Sequence, residues 1–212
     1  MQSMSSPSRA AAGLGGRGCE RLPDRELVAL CLGAGQAYDS AFGELYARYA
    51  PRVFGFLLKL TGRREAAEDA LQETFLRVYR SLERFDGRRE LSTWMLQIAR
   101  YVAIDAWRVE QKVKRLEAQR GSETGEVAGD EVAEDAVRSE LSLLVEDVMD
   151  ELSLDDRSLL LLRHHHGLTF KAIGEVCDCS ARTAQNRVEA AARRFQLALG
   201  RRRPGPDGKD SP

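Results

Sequence analysis

The chain has 212 residues, 43% of them hydrophobic and 31% charged, with 32 Lys and Arg set against 33 Asp and Glu for a net charge of −1. The apolar share is ample for one large or two small packed domains, no run approaches a membrane span, and Met1 to Arg21 lacks the apolar core of a secretory signal. Four cysteines, Cys19, Cys31, Cys177 and Cys179, do not make a secreted disulfide framework at this length, so reduced thiols in the cytoplasm are expected.

Pro and Gly concentrate at the two ends, and between residues 20 and 200 no period-two alternation is long enough for a strand. This predicts an all-helical protein. Residues 1–21 and 200–212 are expected to be disordered tails, the second opening on an Arg-Arg-Arg run placed to touch nucleic acid. Asp24 is expected to cap a helix carrying Leu27, Val28, Leu30 and Cys31 that Gly33 and Gly35 end. Residues 38–49 make a second helix with Phe42, Leu45, Tyr46 and Tyr49 buried, and Pro51 starts a third that runs through Phe54, Leu57 and Leu58 to Gly62.

Residues 65–83 form a long amphipathic helix, with Ala67, Leu71, Thr74, Val78 and Leu82 along one side and Phe75 at its edge. Glu68, Asp69, Gln72, Glu73 and Arg77 share the other side, which on pattern alone is a solvated face laced by pairs such as Glu73 with Arg77. Residues 85–109 are a Gly-containing loop feeding another long helix. Leu91, Trp94, Met95, Ile98, Val102, Ala106 and Val109 face the core, and Arg100, Tyr101, Ile104, Trp107 and Arg108 lie outward or flanking. Arginines interleaved with exposed aromatics suit stacking on unpaired bases beside a phosphate track, at about 1–3 kcal/mol per stacked base. The alternative is that Tyr101 and Trp107 pack on neighbouring helices. Asp105 reads as an ion-pair partner rather than a catalytic acid.

Residues 117–156 hold fourteen Asp and Glu against two Arg, so the near-zero net charge masks basic surfaces on either side. Residues 155–199 then read as a helix-turn-helix behind a support helix. Thr169 caps a short helix with Phe170, Ala172, Ile173 and Val176 at helical spacing, Cys177-Asp178-Cys179 makes the turn, and Ser180 caps the last helix. In that helix Ala184, Val188, Ala191 and Phe195 form one narrow inward stripe, opposite Arg182, Asn186, Glu189 and Arg193. Gln185 and Asn186 have the groups to pair with adenine and Arg182 with guanine, while Arg187, Arg193 and Arg194 suit phosphates. An ordinary helical hairpin with a solvated basic face is the plainer alternative. His164, His165 and His166 near Cys177 and Cys179 invite a metal or redox role, but three successive His point three ways around a helix.

Ala41-Phe42-Gly43-Glu44-Leu45-Tyr46, Glu68 to Arg77, Phe85-Asp86-Gly87, Ser92-Thr93-Trp94, Ile98-Ala99-Arg100, Ala103-Ile104-Asp105 and Gly167-Leu168-Thr169-Phe170-Lys171-Ala172-Ile173 form an ordered series. The series resembles the extracytoplasmic-function sigma factors of the sigma-70 family, over roughly residues 24–109 and 140–197. The resemblance implies two small helical domains, 22–109 (region 2) and 137–199 (region 4), joined by a flexible acidic linker, 110–136, that threads the polymerase cleft. It implies that Glu68, Asp69, Gln72, Glu73 and Arg77 grip the clamp helices of the largest subunit of core RNA polymerase, with the flap of the second largest as a further contact. Arg88, Arg89, Thr93, Trp94, Gln97, Arg100, Tyr101, Trp107 and Arg108 would melt and read the −10 element, with a flipped base held near the Phe85–Glu90 loop. Ser180, Arg182, Thr183, Gln185, Asn186, Arg187, Arg193 and Arg194 would read the −35 element. Tyr101 stands where many relatives carry Asn, and Cys177 and Cys179 stand where they carry Leu, Gly or Ile.

The resemblance thus implies an alternative sigma factor that is no enzyme, needs no cofactor or metal, binds core polymerase and promoter DNA, answers to an anti-sigma factor, and works in the cytoplasm on the nucleoid. Two rivals stand beside it: a stand-alone helix-turn-helix regulator, and an adaptor that binds polymerase without reading DNA.

Overall fold

A computed structural model describes residues 19–33, 37–119 and 140–202. The tails 1–18 and 203–212, Gly35 and most of the predicted linker lie outside the described residues. Every regular element among the described residues is helical: α1 Asp24–Leu32, α2 Ala37–Thr61, α3 Arg64–Ser81, α4 Leu91–Gln119, α5 Glu140–Glu151, α6 Leu154–Leu160, α7 Phe170–Val176 and α8 Ala181–Arg202. Single 3-10 turns cover Cys19–Arg21 and Leu82–Arg84, and a π turn covers Leu161–His165. None of these helices is long and apolar enough to cross a membrane.

Helices α1 to α4 pack around Leu27, Leu45, Phe56, Leu57, Leu60, Met95 and Leu96, all buried. Three sequence expectations change here. Asp24 is the first helical residue and Pro23 the cap; the Asp24 carboxylate instead accepts from Arg48 Nη1 at 2.8 Å and from the Tyr49 hydroxyl, tying α1 to α2. The predicted second and third helices are one, α2, running through Pro51. An internal Pro costs roughly 3 kcal/mol through its lost donor and ring clash, but Ala41, Leu45 and Ala50 before it and Val53, Phe56 and Leu57 after it are buried in the same core. Both halves are therefore held in line. The fold also starts earlier than expected, since Cys19 is buried and burial, then Cys19, pushes the Cys31 thiol up to about 11.

Gly62, at φ 71°, ends α2 with its N–H donated to the Leu58 carbonyl at 2.9 Å, a left-handed stop that a side chain would strain. Beyond it α3 buries Ala67, Ala70, Thr74, Phe75 and Val78. Helix α4 continues to Gln119, so the first ten residues of the predicted linker are helical. Ala106 and Val109, expected to face the core, stand exposed, and Ile104, expected outward or flanking, is buried. Tyr46, expected inside, is exposed.

Helices α5, α6 and α7 pack on α8, and Arg202 of α8 binds Glu151 and Asp147 of α5 at 2.7 Å. Arg201 lies 3.8 Å from Glu151 and is 75% exposed. Leu159, Leu160, Leu161 and Leu162 are all buried. Four successive helical residues sweep about 300°, so this segment must be enclosed on nearly every side. It lies against α8 on one side and against α2 and α4 on the other, and the apolar cores of the two halves join into one.

Candidate nucleic-acid interface

The short helices near the C-terminus are set by local hydrogen bonds. Thr169 Oγ1 accepts the Ala172 N–H at 3.2 Å, and Ser180 Oγ accepts the Thr183 N–H at 3.1 Å while lying 2.9 Å from Thr183 Oγ1. Both helix starts are thereby capped, as the sequence predicts. The turn between them needs two special positions: Asp178 at φ 54°, and Gly174, where an added Cβ would lie 2.6 Å from the Cys179 carbonyl oxygen. Only glycine lets α7 approach the start of α8 this closely.

On α8, Ala184, Val188 and Ala191 are buried, Phe195 is half-buried, and Ala198 continues the stripe. Arg182, Asn186, Glu189 and Arg193 are exposed on the opposite side. The other predicted −35 residues differ in kind. Ser180 is used as the cap and Thr183 is paired with it, the Gln185 amide donates to Glu189 Oε1 at 2.9 Å, and Arg194 binds Asp156 at 2.7 Å. Arg187 and Arg194 line a cleft between α6 and α8 with Asp155 and Asp156.

The predicted −10 residues divide more sharply. Arg88 is exposed on the loop, near Asp86 at 3.5 Å; Arg89 donates to Gln97 Oε1 at 2.8 Å; Tyr101, Trp107 and Arg108 are exposed along α4. Thr93 and Trp94 are not on the surface. Trp94 is 6% exposed, its ring 5.2 Å from that of Phe85, so it braces the loop from beneath rather than meeting a base. Arg100 is also corrected: it is 4% exposed, its Nε donates to Ser158 Oγ at 2.9 Å, and Nη2 binds Asp155 of α6. Helical spacing puts Arg100 on the flank of α4, and the second half of the chain covers that flank.

Tyr101 does join a groove of 480 Å³ with Arg77, Arg80, Ser81, Arg84, Ile98 and Asp105. Arg80 and Arg84 are additions to the predicted set, although their spacing from Arg77 on one side of α3 and the turn after it is readable in the sequence. Asp105 lies 3.8 Å from both Arg77 and Arg108, in the ion-pairing role expected of it.

On the outer face of α3, Glu68 accepts from Arg64 at 2.8 Å and Glu73 from Arg77 at 2.7 Å, with Asp69 and Gln72 exposed between them. Leu76 and Tyr79 stand 49% and 53% exposed beside these residues. The acidic face therefore has an apolar part that charge patterning does not reveal.

The His run meets no metal-binding geometry: among the described residues no three His, Cys, Asp or Glu side chains are grouped as ligands. His166 packs edge-on against Phe56 of α2 with ring centroids 5.5 Å apart. Cys177 is buried, which raises its thiol pKa against the opposing pull of Arg100 and Arg187.

Residues 45–113 match the family model for Sigma-70 region 2, and residues 142–195 match that for Sigma-70, region 4. The RNA polymerase sigma factor CarQ of Myxococcus xanthus is 31% identical over 162 residues, covering 76% of this chain and 91% of that protein. The ECF RNA polymerase sigma factor SigX of Bacillus subtilis is 29% identical over 155 residues, covering 70% and 80%. Among solved structures, the sigma factor RpoE in complex with the anti-sigma factor NepR from Bartonella quintana is similar at TM-score 0.58 and 21% identity, covering 76% of this chain and 98% of that one. CnrH in complex with the cytosolic domain of CnrY is similar at TM-score 0.59 and 20% identity, covering 85% and 99%; both likenesses are of fold. With both family regions in order and the capped recognition helix in place, the chain belongs to the extracytoplasmic-function sigma factors of the sigma-70 family, which direct RNA polymerase to specific promoters.

Proposed function

We propose that residues 22–109 hold core polymerase and the melted −10 strand, that residues 137–199 read the −35 element in the major groove and meet the polymerase flap, and that the chain between them spans the two. The observation that carries the reading is the exposed strip of α8. Arg182 and Asn186 lie one turn apart near the start of the helix, opposite the buried Ala184 and Val188, with Arg193 further along for phosphate. A helix so divided presents its first turns to base edges while its small residues seat it on α7.

In the first unit, Arg88, Arg89, Gln97, Tyr101, Trp107 and Arg108 make the direct −10 contacts, with Trp94 supporting the loop from below through Phe85 and Thr93 buried beside it. The clamp helices of the largest subunit meet the outer face of α3, where Leu76 and Tyr79 supply an apolar centre and Glu68, Asp69, Gln72 and Glu73 a charged rim. Such a centre carries most of the energy of an interface, and the rim chiefly sets approach and register. An anti-sigma factor, of the kind bound to the RpoE neighbour, would cover one or both polymerase-binding faces. The site of action is the nucleoid.

The test is run-off transcription from fragmented host DNA with core polymerase, mapping RNA 5′ ends. New starts sharing spaced upstream elements are expected, and Arg182→Ala with Asn186→Ala should abolish them while core binding persists. Unchanged starts in that double variant would sink the assignment of α8 to the −35 element.

A further inference from the structure

Helix α8 carries six arginines and a single acidic residue, Glu189, and that carboxylate stands on the exposed side shared by Arg182, Asn186 and Arg193. A negative charge there opposes the approach of phosphates. The protein does not neutralise it: Arg194 is bound by Asp156 and Arg202 by Asp147 and Glu151, and among the described residues no lysine or arginine pairs with Glu189. Its partner is neutral. Gln185, one turn before it, donates from Nε2 to Glu189 Oε1 at 2.9 Å.

That bond sets what the two side chains offer outward. The Gln185 amide spends an N–H on Glu189, which leaves the Gln185 carbonyl and the second carboxylate oxygen as acceptors. Glutamine alone reads adenine by accepting from N6 while donating to N7. Beside a carboxylate the N7 lone pair is opposed. Cytosine carries its N4 amino donor next to a C5–H, with no lone pair in the way, whereas guanine O6 and N7 and thymine O4 are acceptors only. An acceptor pair of this kind therefore fits cytosine best. From Arg182 to Glu189 the helix rises about 10 Å, roughly three base-pair steps of 3.4 Å, so Gln185 and Glu189 address a different base pair from Arg182.

We infer that Glu189, with Gln185 held against it, is a specificity-determining residue that reads a cytosine of the −35 element through its N4 amino group. Resting on the reading of α8 as the −35 helix, this assignment gives Gln185 cytosine in place of the adenine expected from the sequence. The carboxylate weakens binding to every duplex by repelling phosphates and recovers that loss only where an amino group meets it. Specificity then comes from rejecting wrong sequences as much as from holding the right one.

The test uses holoenzyme and promoter duplexes in which each base pair of the −35 element, mapped by run-off transcription, is changed to the other three, with affinity read by fluorescence anisotropy. Wild type should prefer a C·G pair in one orientation at one position by roughly fivefold or more. Glu189→Gln, isosteric and uncharged, should erase that preference, leave the other positions as they are, and bind a duplex lacking the element more tightly. Glu189→Asp keeps the charge but withdraws it by one methylene, so it should lose the cytosine preference without the gain on the unrelated duplex. Gln185→Ala should weaken preference at the same position. Equal effects of Glu189→Gln on all −35 variants, or an altered position at which wild type prefers an A·T pair in either orientation, would overturn the assignment and leave the pair as a helix-stabilising contact. The double variant Arg182→Ala with Asn186→Ala separates this from the reading beneath it. If the double variant loses −35 preference while Glu189→Gln alters no single position, α8 still reads the element and only the role of Glu189 fails. If the double variant keeps every −35 preference, the helix assignment fails and Glu189 falls with it.

Discussion

Replacing Gly174 with Ala isolates the geometry on which the recognition helix depends. Ala for Gly inside a helix normally stabilises by about 1 kcal/mol. At this position the new Cβ would lie 2.6 Å from the Cys179 carbonyl oxygen, 3.2 Å from the Ser180 carbonyl carbon and 3.3 Å from the Ala181 nitrogen. All three are backbone atoms, so no side chain can rotate away. The backbone is itself held, because Cys179 N–H donates to the Gly174 carbonyl at 2.8 Å and Asp178 is fixed at φ 54°. Relief requires the turn and α7 to move apart, and overpacking of this kind costs typically about 1–3 kcal/mol and occasionally more. A Cβ against backbone at 2.6 Å belongs at the upper end of that range, so after the propensity gain of about 1 kcal/mol the net expectation is a loss of about 2 kcal/mol, read as a fall in Tm of roughly 4–8 °C by circular dichroism at this chain length. Gly43→Ala is the matched control: Gly43 lies within α2 and has nothing within 4 Å of the added Cβ, so Tm should rise by about 2–4 °C. A Tm for Gly174→Ala equal to or above wild type would refute the argument that close approach, rather than helix propensity, decides this position.

On the DNA side, Asn186→Ala should cost about 1–3 kcal/mol at one base pair of the −35 element and relax preference there, whereas Arg193→Ala should weaken all sequences evenly and lower the salt slope by roughly 1; fluorescence anisotropy against a panel of duplexes distinguishes them. For polymerase, Tyr79→Ala with Leu76→Ala should weaken core binding roughly tenfold or more through faster dissociation, while Glu68→Ala should act mainly on the association rate at low salt, both seen by surface plasmon resonance. Burial, then His165 and Arg52, hold the His166 pKa down to about 4 from 6.5. Between those values the unfolded chain binds a proton that the folded chain refuses, so this contribution to stability is full above pH 6.5 and is lost as pH falls towards 4. His166→Phe should flatten the Tm profile in that window relative to wild type.

The helix-turn-helix was legible because its determinants are local. Thr169 and Ser180 cap their own helices, and the alternation of Ala184, Val188 and Ala191 with Arg182 and Asn186 follows from helical spacing alone. Helix α4 shows where such spacing fails. Val102, Ala106, Val109, Val113 and Leu116 continue one stripe at intervals of four and three, yet Val102 alone of these is buried, and Val109, Val113 and Leu116 are exposed. Periodicity reports that a helix has an apolar side; whether the rest of the chain reaches far enough to cover it is a question of tertiary extent. Pro51 misleads in the opposite direction, because a local breaker signal is overridden by a core shared across it.

The joining of the two halves left one mark in the sequence that local reading passes over. An amphipathic helix packed on one surface alternates burial and exposure within each turn, so Leu159-Leu160-Leu161-Leu162 exceeds what a single partner helix requires. The π turn over Leu161–His165, with the His166 N–H donated to the Leu161 carbonyl at 3.0 Å, shifts the phase of the helix at this run. It brings His166 against Phe56 while Leu159 and Leu162 stay buried. Arginines at 100 and 157 then read differently. Local spacing treats each as a charge on the flank of its own helix, yet each donates a long-range hydrogen bond across the α4, α6 and α2 boundary. A long-range polar contact of this kind has no periodicity, and the residues that meet across it are 55 to 97 positions apart. The leucine run, which needs a second surface, is the part of that boundary a sequence can announce.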